Sequence, residues 1–98
     1  MEATIIITEC TNQYGKYWRF NDKQSGQVLA EIDKKSKREF DGRLYFIYTP
    51  RGGFFCETAR RSKKESAIEF AKQSIRERFA GVDIEFKWNV MQYKYKYA

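Results

Sequence analysis

The sequence predicts an α+β domain: an antiparallel β-sheet of about five to six strands, with one amphipathic helix packed on one face. Three observations predict it. The chain has 98 residues, which is enough for one modest hydrophobic core. Runs of β-branched and aromatic residues alternate with polar ones between turn signals, as is typical of antiparallel strands. Only one segment, about residues 63–79, has apolar residues at helical spacing. The predicted order is β-β-β-β-β-α-β.

The first three strands are predicted where β-branched and aromatic residues alternate in polarity, over residues 3–10, 16–20 and 27–33. In the second of them, KYWRF, we expect Trp18 and Phe20 to point into the core, because they share one side of an extended chain. The turns TNQYG and NDKQSG separate these strands. The second and third strands therefore form a predicted hairpin.

The next hairpin is predicted over residues 43–59. Its first strand, RLYFIYT, is apolar or aromatic on both faces, so we expect a central position in the sheet. Pro50, Gly52 and Gly53 suit a tight turn, because proline presets its φ angle and glycine tolerates positive φ. FFCETA then returns as the fifth strand.

The helix is predicted to begin at a capping box, with Ser62 as N-cap and Glu65 at the third helical position. It is predicted to end near Ala80 and Gly81, and VDIEFKWNV follows as the last strand. Residues 1–90 are assigned to one domain and residues 91–98 to a Tyr/Lys-rich tail or strand extension. The apolar face of the helix comprises Ala67, Ile68, Ala71, Ile75 and Phe79.

Charge and composition restrict the function. Lys and Arg number 19 against 13 Asp and Glu, a net charge of +6, which favours a polyanionic partner: nucleic acid first, then an anionic membrane or an acidic protein surface. The chain has no His and no CxxC, which excludes His-based catalytic triads and the usual zinc sites. We therefore predict no catalytic residue, no metal and no cofactor. The N-terminal segment is acidic and its apolar run is short, which predicts a cytoplasmic protein that does not bind membranes. The size and composition of the chain predict a monomer or a small homo-oligomer.

Two clusters of cations, within residues 34–38 and residues 60–64, are the predicted phosphate contacts. The second cluster lies where the helix begins, and there each cation costs about 0.3 to 1 kcal/mol unless an anion compensates it. Aromatic side chains of the hairpin, Tyr45, Tyr48, Phe54 and Phe55, form either a stacking surface edged by Arg43 and Arg51 or, where both faces of the sheet are covered, part of the core. The candidate nucleic-acid-binding residues are Lys34, Lys35, Lys37 and Arg38, then Arg60, Arg61, Lys63 and Lys64, with Arg51 and Tyr45.

Two local patterns resemble known families. A hairpin, a basic turn and the helix SKKESAIEFAK are similar in layout to the three-stranded-sheet DNA-binding modules of integrase arm domains and of plant ethylene-response factors, which implies DNA binding. In IEFK, Glu85 and Lys87 resemble the E-x-K pair of PD-(D/E)xK nucleases. That resemblance implies a carboxylate that binds Mg²⁺ and a lysine that polarises the attacking water.

Three functions follow in order of preference. The first is a small, basic, non-enzymatic nucleic-acid-binding protein. The alternative is a protein-binding accessory or inhibitory module, of phage or mobile-element type, that uses the basic patch or adds the C-terminal segment QYKYKY as an edge strand to its partner. The third is a metal-dependent nuclease built on Glu85 and Lys87.

Overall fold

Six strands and one helix make up the described part of the protein, a computed structural model that covers residues 1–13, 15–36 and 43–89. Their order confirms the prediction. Asp41 and Gly42, a residue pair typical of a turn, and the predicted tail over 91–98 lie outside the described residues. The elements are β1 (Glu2–Asn12), β2 (Gly15–Asp22), β3 (Val28–Ser36), β4 (Arg43–Arg51), β5 (Phe54–Arg61), α1 (Lys64–Arg78) and β6 (Asp83–Trp88).

The sheet is mixed, and the prediction of a purely antiparallel sheet is wrong. Its strand order is β5-β4-β3-β2-β1-β6. Neighbours from β1 to β5 are antiparallel, whereas β6 pairs parallel to β1 in the register Ile5↔Phe86. The reason is the crossover connection. β5 and β6 lie at opposite edges, so α1 carries the chain across the whole sheet, and β6 then runs parallel to its neighbour β1. β4, predicted to be central, is an inner strand next to the edge strand β5.

One face of the sheet carries the core. The helix buries Ala67, Ile68, Ala71 and Ile75 against it, which confirms the predicted apolar face. Trp18 and Phe20 point inward as predicted, with 2% and 0% of their surface exposed. The strand residues that alternate onto this face complete the core: Ile5, Ile7, Trp18, Phe20, Ala30, Ile32 and Ile47.

The other face, which we call the open face, has no described element over it. Side chains that alternate with the core residues lie there, half-buried or exposed, among them Ile6, Tyr17, Phe46 and Tyr48. A bulge in β5 near Thr58 changes the register, because Ile47 pairs with Ala59 but Tyr48 pairs with Glu57. The bulge lets Glu57 and Arg60 share the open face.

Adjacent isoleucines of β1 test this division of the sheet. Ile7 is fully buried against the helix side and Ile6 is half-buried on the open face. We expect Ile7→Ala to lower the free energy of unfolding by about 2 to 5 kcal/mol, because the removed atoms leave a cavity. Ile6→Ala should cost less than half as much. Urea unfolding followed by circular dichroism measures both, and equal losses would contradict the one-sided core.

Candidate nucleic-acid interface

A solvent-open groove of about 430 Å³ lies where the helix begins. Strand ends form it, because the end of β1, the start of β2, the end of β3 and the start of β4 all meet at one end of the antiparallel sheet. The segment between β5 and α1 closes its side. We call it the lysine groove, and its lining is Glu9, Lys16, Trp18, Lys34, Tyr45, Ser62, Lys63, Lys64 and Glu65.

The groove is electropositive. It holds four lysines against two glutamates. Lys16 forms an ion pair with Glu9, Nζ to Oε2 at 3.2 Å. Lys34, Lys63 and Lys64 form no ion pair within the part of the chain that the structure describes. Three cations without an ion pair, from β3 and the helix start, thus line one concave surface, to which the free N–H groups of the first helical turn add partial positive charge.

Glu9 organises the floor of the groove. Its Oε1 accepts a hydrogen bond from Trp18 Nε1 at 3.1 Å. Burial raises the pKa of Glu9, but the hydrogen bonds from Trp18 and Lys16 and the charges of Lys16 and Lys64 outweigh it, so the pKa lies below the usual value. A lowered pKa means that the contribution of Glu9 to stability is present above its unfolded-state pKa and is lost as the pH falls through its folded-state pKa. At neutral pH Glu9 is ionised and keeps Lys16 in place.

The helix start differs from the prediction. The N-cap is Lys63, with extended backbone angles of φ −123° and ψ 143°, and no side chain caps the helix. The capping box of Ser62 and Glu65 is therefore wrong. The reason is the length of β5, which continues to Arg61 and places Ser62 one residue too early to cap. Lys63 accepts the first helical bond from Ala67 through its carbonyl oxygen, at 3.1 Å.

Alternation divides two basic dipeptides of the strands, Lys34-Lys35 and Arg60-Arg61, between the two faces. Lys34 lines the groove, whereas Lys35 lies over Phe46 and Tyr48 on the open face, 5.5 and 6.0 Å from their ring centroids. Arg60 and Arg61 separate in the same way. Arg60 lies 5.6 Å from the Phe46 ring, and Arg61 lies 4.6 Å from the ring of Phe70 on the helix. The two predicted clusters therefore meet only in part: Lys34, Lys63 and Lys64 line the groove, whereas Lys35 and Arg60 lie on the open face.

The remaining predicted site residues are dispersed. Tyr45 lies on the core side, its ring 5.8 Å from that of Trp18, and it lines the groove. Arg51 is exposed at the opposite end of β4. Lys37 and Arg38 lie outside the described residues. The prediction missed Lys16, whose signal was its alternation with Trp18 along β2: residues two apart share a face.

The predicted stacking surface is split as well. Tyr45 and Tyr48 stand three positions apart on one strand, so they lie on opposite faces. Phe55 pairs with Pro50 and shares the open face with Tyr48, whereas Phe54 pairs with Arg51 and lies on the other side of the hairpin. The prediction that all four rings form one surface is wrong for Tyr45 and Phe54.

The E-x-K pair is exposed on the edge strand β6, with Lys87 Nζ 4.0 Å from Glu85 Oε1. In ranges 1–13, 15–36 and 43–89, no three His, Cys, Asp or Glu side chains are grouped to hold a metal ion. Cys10 and Cys56 are free and half-buried.

The one helix of the described ranges is too short and too polar to cross a membrane. Comparison with protein-family models, with curated proteins and with solved structures finds no match for the chain. Its function is therefore inferred from its own residues.

The uncapped helix start gives a prediction about stability. Lys63→Ser places a preferred capping side chain at the observed N-cap and removes a cation from the positive end of the helix dipole, so we expect a gain of about 0.5 to 2 kcal/mol in the free energy of unfolding. Ser62→Ala should change it by less than about 0.5 kcal/mol, because Ser62 caps nothing. Urea unfolding measures both. A large loss for Ser62→Ala would restore the capping box.

Proposed function

We propose that the protein is a small, non-enzymatic nucleic-acid-binding protein that contacts phosphates through the lysine groove. The single observation that carries the proposal is the meeting of Lys16, Lys34, Lys63 and Lys64, from β2, β3 and the helix start, around one concave surface. Lysines placed in this way neutralise phosphates and release the counterions that surround a nucleic acid, which is the main source of sequence-independent affinity.

The contacts that these lysines make within the fold support a phosphate ligand. Lys16 is held by Glu9 and Lys64 lies over the ring of Trp18 at 5.8 Å, so both are positioned by the fold. Lys34 and Lys63, for which the described residues provide no carboxylate partner, are available to an external anion. A bound phosphate would compensate the repulsion among four cations that the two glutamates only partly offset.

The helix start supports it further. Serine, threonine, aspartate or asparagine is preferred at an N-cap, yet Lys63 occupies this position without a capping hydrogen bond. Departures from local stability rules concentrate at functional sites, where another requirement outweighs them. Here that requirement is positive charge beside the free N–H groups of the first turn, a combination that binds phosphate.

Salt dependence tests the proposal. We expect the full chain to bind fluorescein-labelled DNA with an affinity that falls steeply as salt rises. Lys34→Gln/Lys63→Gln should weaken binding and reduce the slope of log K against log salt by about 0.7 to 0.9 for each lysine that touches a phosphate. Fluorescence anisotropy across a salt series measures both quantities.

The matched control is Lys23→Gln/Lys87→Gln, which removes the same charge from the β2–β3 turn and from β6, away from the groove. It should leave the slope nearly unchanged. If both double variants reduce the salt slope equally, the DNA is attracted by net charge in general and not by contact at the groove. No binding of DNA or RNA even at low salt would overturn the proposed function.

One observation favours the second candidate, a protein-binding module. β5 is an edge strand, and Phe54 at its start is 75% exposed, among the most exposed large apolar side chains of the described ranges. An edge strand with a projecting aromatic ring suits a partner that adds a strand and receives the ring in a pocket. This is a different edge from the C-terminal one that the sequence suggested.

Phe54→Asp separates the two candidates. On the nucleic-acid proposal, we expect this variant to bind DNA at most a few times more weakly than wild type, since Phe54 lies at the opposite end of the sheet from the groove. The measurement is anisotropy at fixed salt. A loss as large as that of the groove variant would move the DNA interface to the β4–β5 hairpin and contradict the groove, whereas unchanged DNA binding leaves the edge of β5 free for a protein partner.

A further inference from the structure

The open face carries a group of aromatic side chains that the proposed function does not use. We call Tyr17, Phe46, Tyr48 and Phe55 the stacking face. Tyr17 on β2 and Phe46 on β4 lie in one row across the sheet, both aligned with Asp33 of β3. Tyr48 follows Phe46 along β4, and Phe55 stands opposite Pro50, the next member of that side of β4. The row and the strand together place four rings on one side of a twisted but continuous sheet.

These rings are accessible. Tyr17, Phe46 and Tyr48 are half-buried, and Phe55 is 42% exposed. The helix lies on the opposite face, and no other described element packs over them. Such rings expose apolar area that a folded chain normally covers or uses in binding.

Cations stand over the rings. Arg19 lies 5.5 Å from the centroid of Tyr17, and Lys35 and Arg60 lie 5.5 and 5.6 Å from that of Phe46. Lys35 and Arg60 have long, flexible side chains that a flat ligand can displace toward its own phosphates, and an arginine guanidinium can itself stack on a base. The arrangement suits a ligand with flat rings and an anionic backbone.

Charge balance decides which form of nucleic acid fits. The three cations of the stacking face are matched by three carboxylates, since Arg19 pairs with Glu31 at 2.8 Å, Arg60 pairs with Glu57 at 3.6 Å, and Asp33 lies between Tyr17 and Phe46. A balanced surface does not attract a duplex, which presents phosphates outward and keeps the faces of its bases covered. Affinity here has to come from ring contact, and only unpaired bases expose their faces to it.

The stacking face is also continuous with the lysine groove. Lys34 and Lys35 are neighbours at the end of β3, one lining the groove and the other lying over Phe46. A single strand that passes over this end of the sheet reaches both surfaces. Along β4, the span from Phe46 to Pro50 is about 13 Å at roughly 3.3 Å per residue, which accommodates about two or three bases.

We propose that the stacking face binds unpaired bases of a single-stranded nucleic acid whose phosphates the lysine groove holds. The inference rests on the proposed function and specifies its substrate class. The two surfaces contribute different forces, so they can be separated by experiment: the groove sets the salt dependence, and the rings add affinity that does not depend on salt.

The test compares a labelled oligothymidylate with a blunt DNA duplex of the same length, both titrated with the full chain by anisotropy. We expect tighter binding of the single strand. Tyr48→Ala and Phe55→Ala should each weaken that binding about fivefold or more with an unchanged salt slope, while duplex binding stays as it was. Tyr48→Phe keeps the ring and should bind like wild type.

Phe54→Ala is the matched control, because Phe54 is the sequence neighbour of Phe55 but lies on the other side of the hairpin. It should bind the single strand normally. Circular dichroism checks that each variant is folded, and we expect the sheet to remain intact without the Phe55 ring because Phe55 lies outside the core.

Each remaining outcome overturns the inference in a recognisable way. Equal affinity for duplex and single strand, with Tyr48→Ala and Phe55→Ala unaltered, rejects the stacking face but leaves phosphate binding by the groove intact. If Tyr48→Ala and Phe55→Ala weaken binding of the duplex and of the single strand equally, selectivity for unpaired bases is rejected. Failure to bind either probe at low salt rejects the proposed function together with the inference.

Discussion

The crossover of the single helix from one edge of the sheet to the other is the constraint on which the rest of the structure depends. Because α1 connects the edge strands β5 and β6, it lies across one face and gives β6 its parallel pairing with β1. A helix of 15 residues covers only that face. The residues of each strand are therefore sorted by position into those that form the core and those that remain on the open face. The lysine groove and the stacking face both follow from this sorting.

Sorting by alternation also explains why basic clusters in the sequence are not basic clusters in space. Adjacent residues of a strand point to opposite faces, so Lys34 and Lys35 separate, as do Arg60 and Arg61. The lysine groove is assembled instead from residues far apart in the chain, which the strand ends bring together. Lys16 joins Lys63 and Lys64 there although no local pattern connects them. The stacking face, by contrast, has three carboxylates beside its three cations and keeps its aromatic rings half-exposed.

The sequence predicted what depends on local periodicity and missed what depends on the path of the chain. Strand order along the chain, the helix and its buried face followed from spacings of two and of three to four residues. Parallel pairing of β6 could not be read from VDIEFKWNV, because the same alternation serves either direction. The capping box of Ser62 and Glu65 matched a real motif, but β5 extends to Arg61 and moves the cap to Lys63. Among the aromatic residues, the grouping of Tyr45 with Tyr48 on one surface is wrong, because three positions along β4 place the two rings on opposite faces.

Under the proposed function, the two surfaces act over different ranges. Charge attracts a polyanion over the screening length, about 8 Å at physiological salt, whereas stacking requires contact and is little affected by salt. A groove in which three of four lysines form no ion pair with a described carboxylate can therefore capture a strand that the balanced stacking face would not attract. Once the strand is held, ring contacts slow its release. These two surfaces lower the stability of the fold, because Lys63 leaves the helix uncapped and the stacking face leaves apolar area exposed. Both departures lie on the path that a bound strand would follow, which is the pattern expected where binding rather than stability has determined the residue.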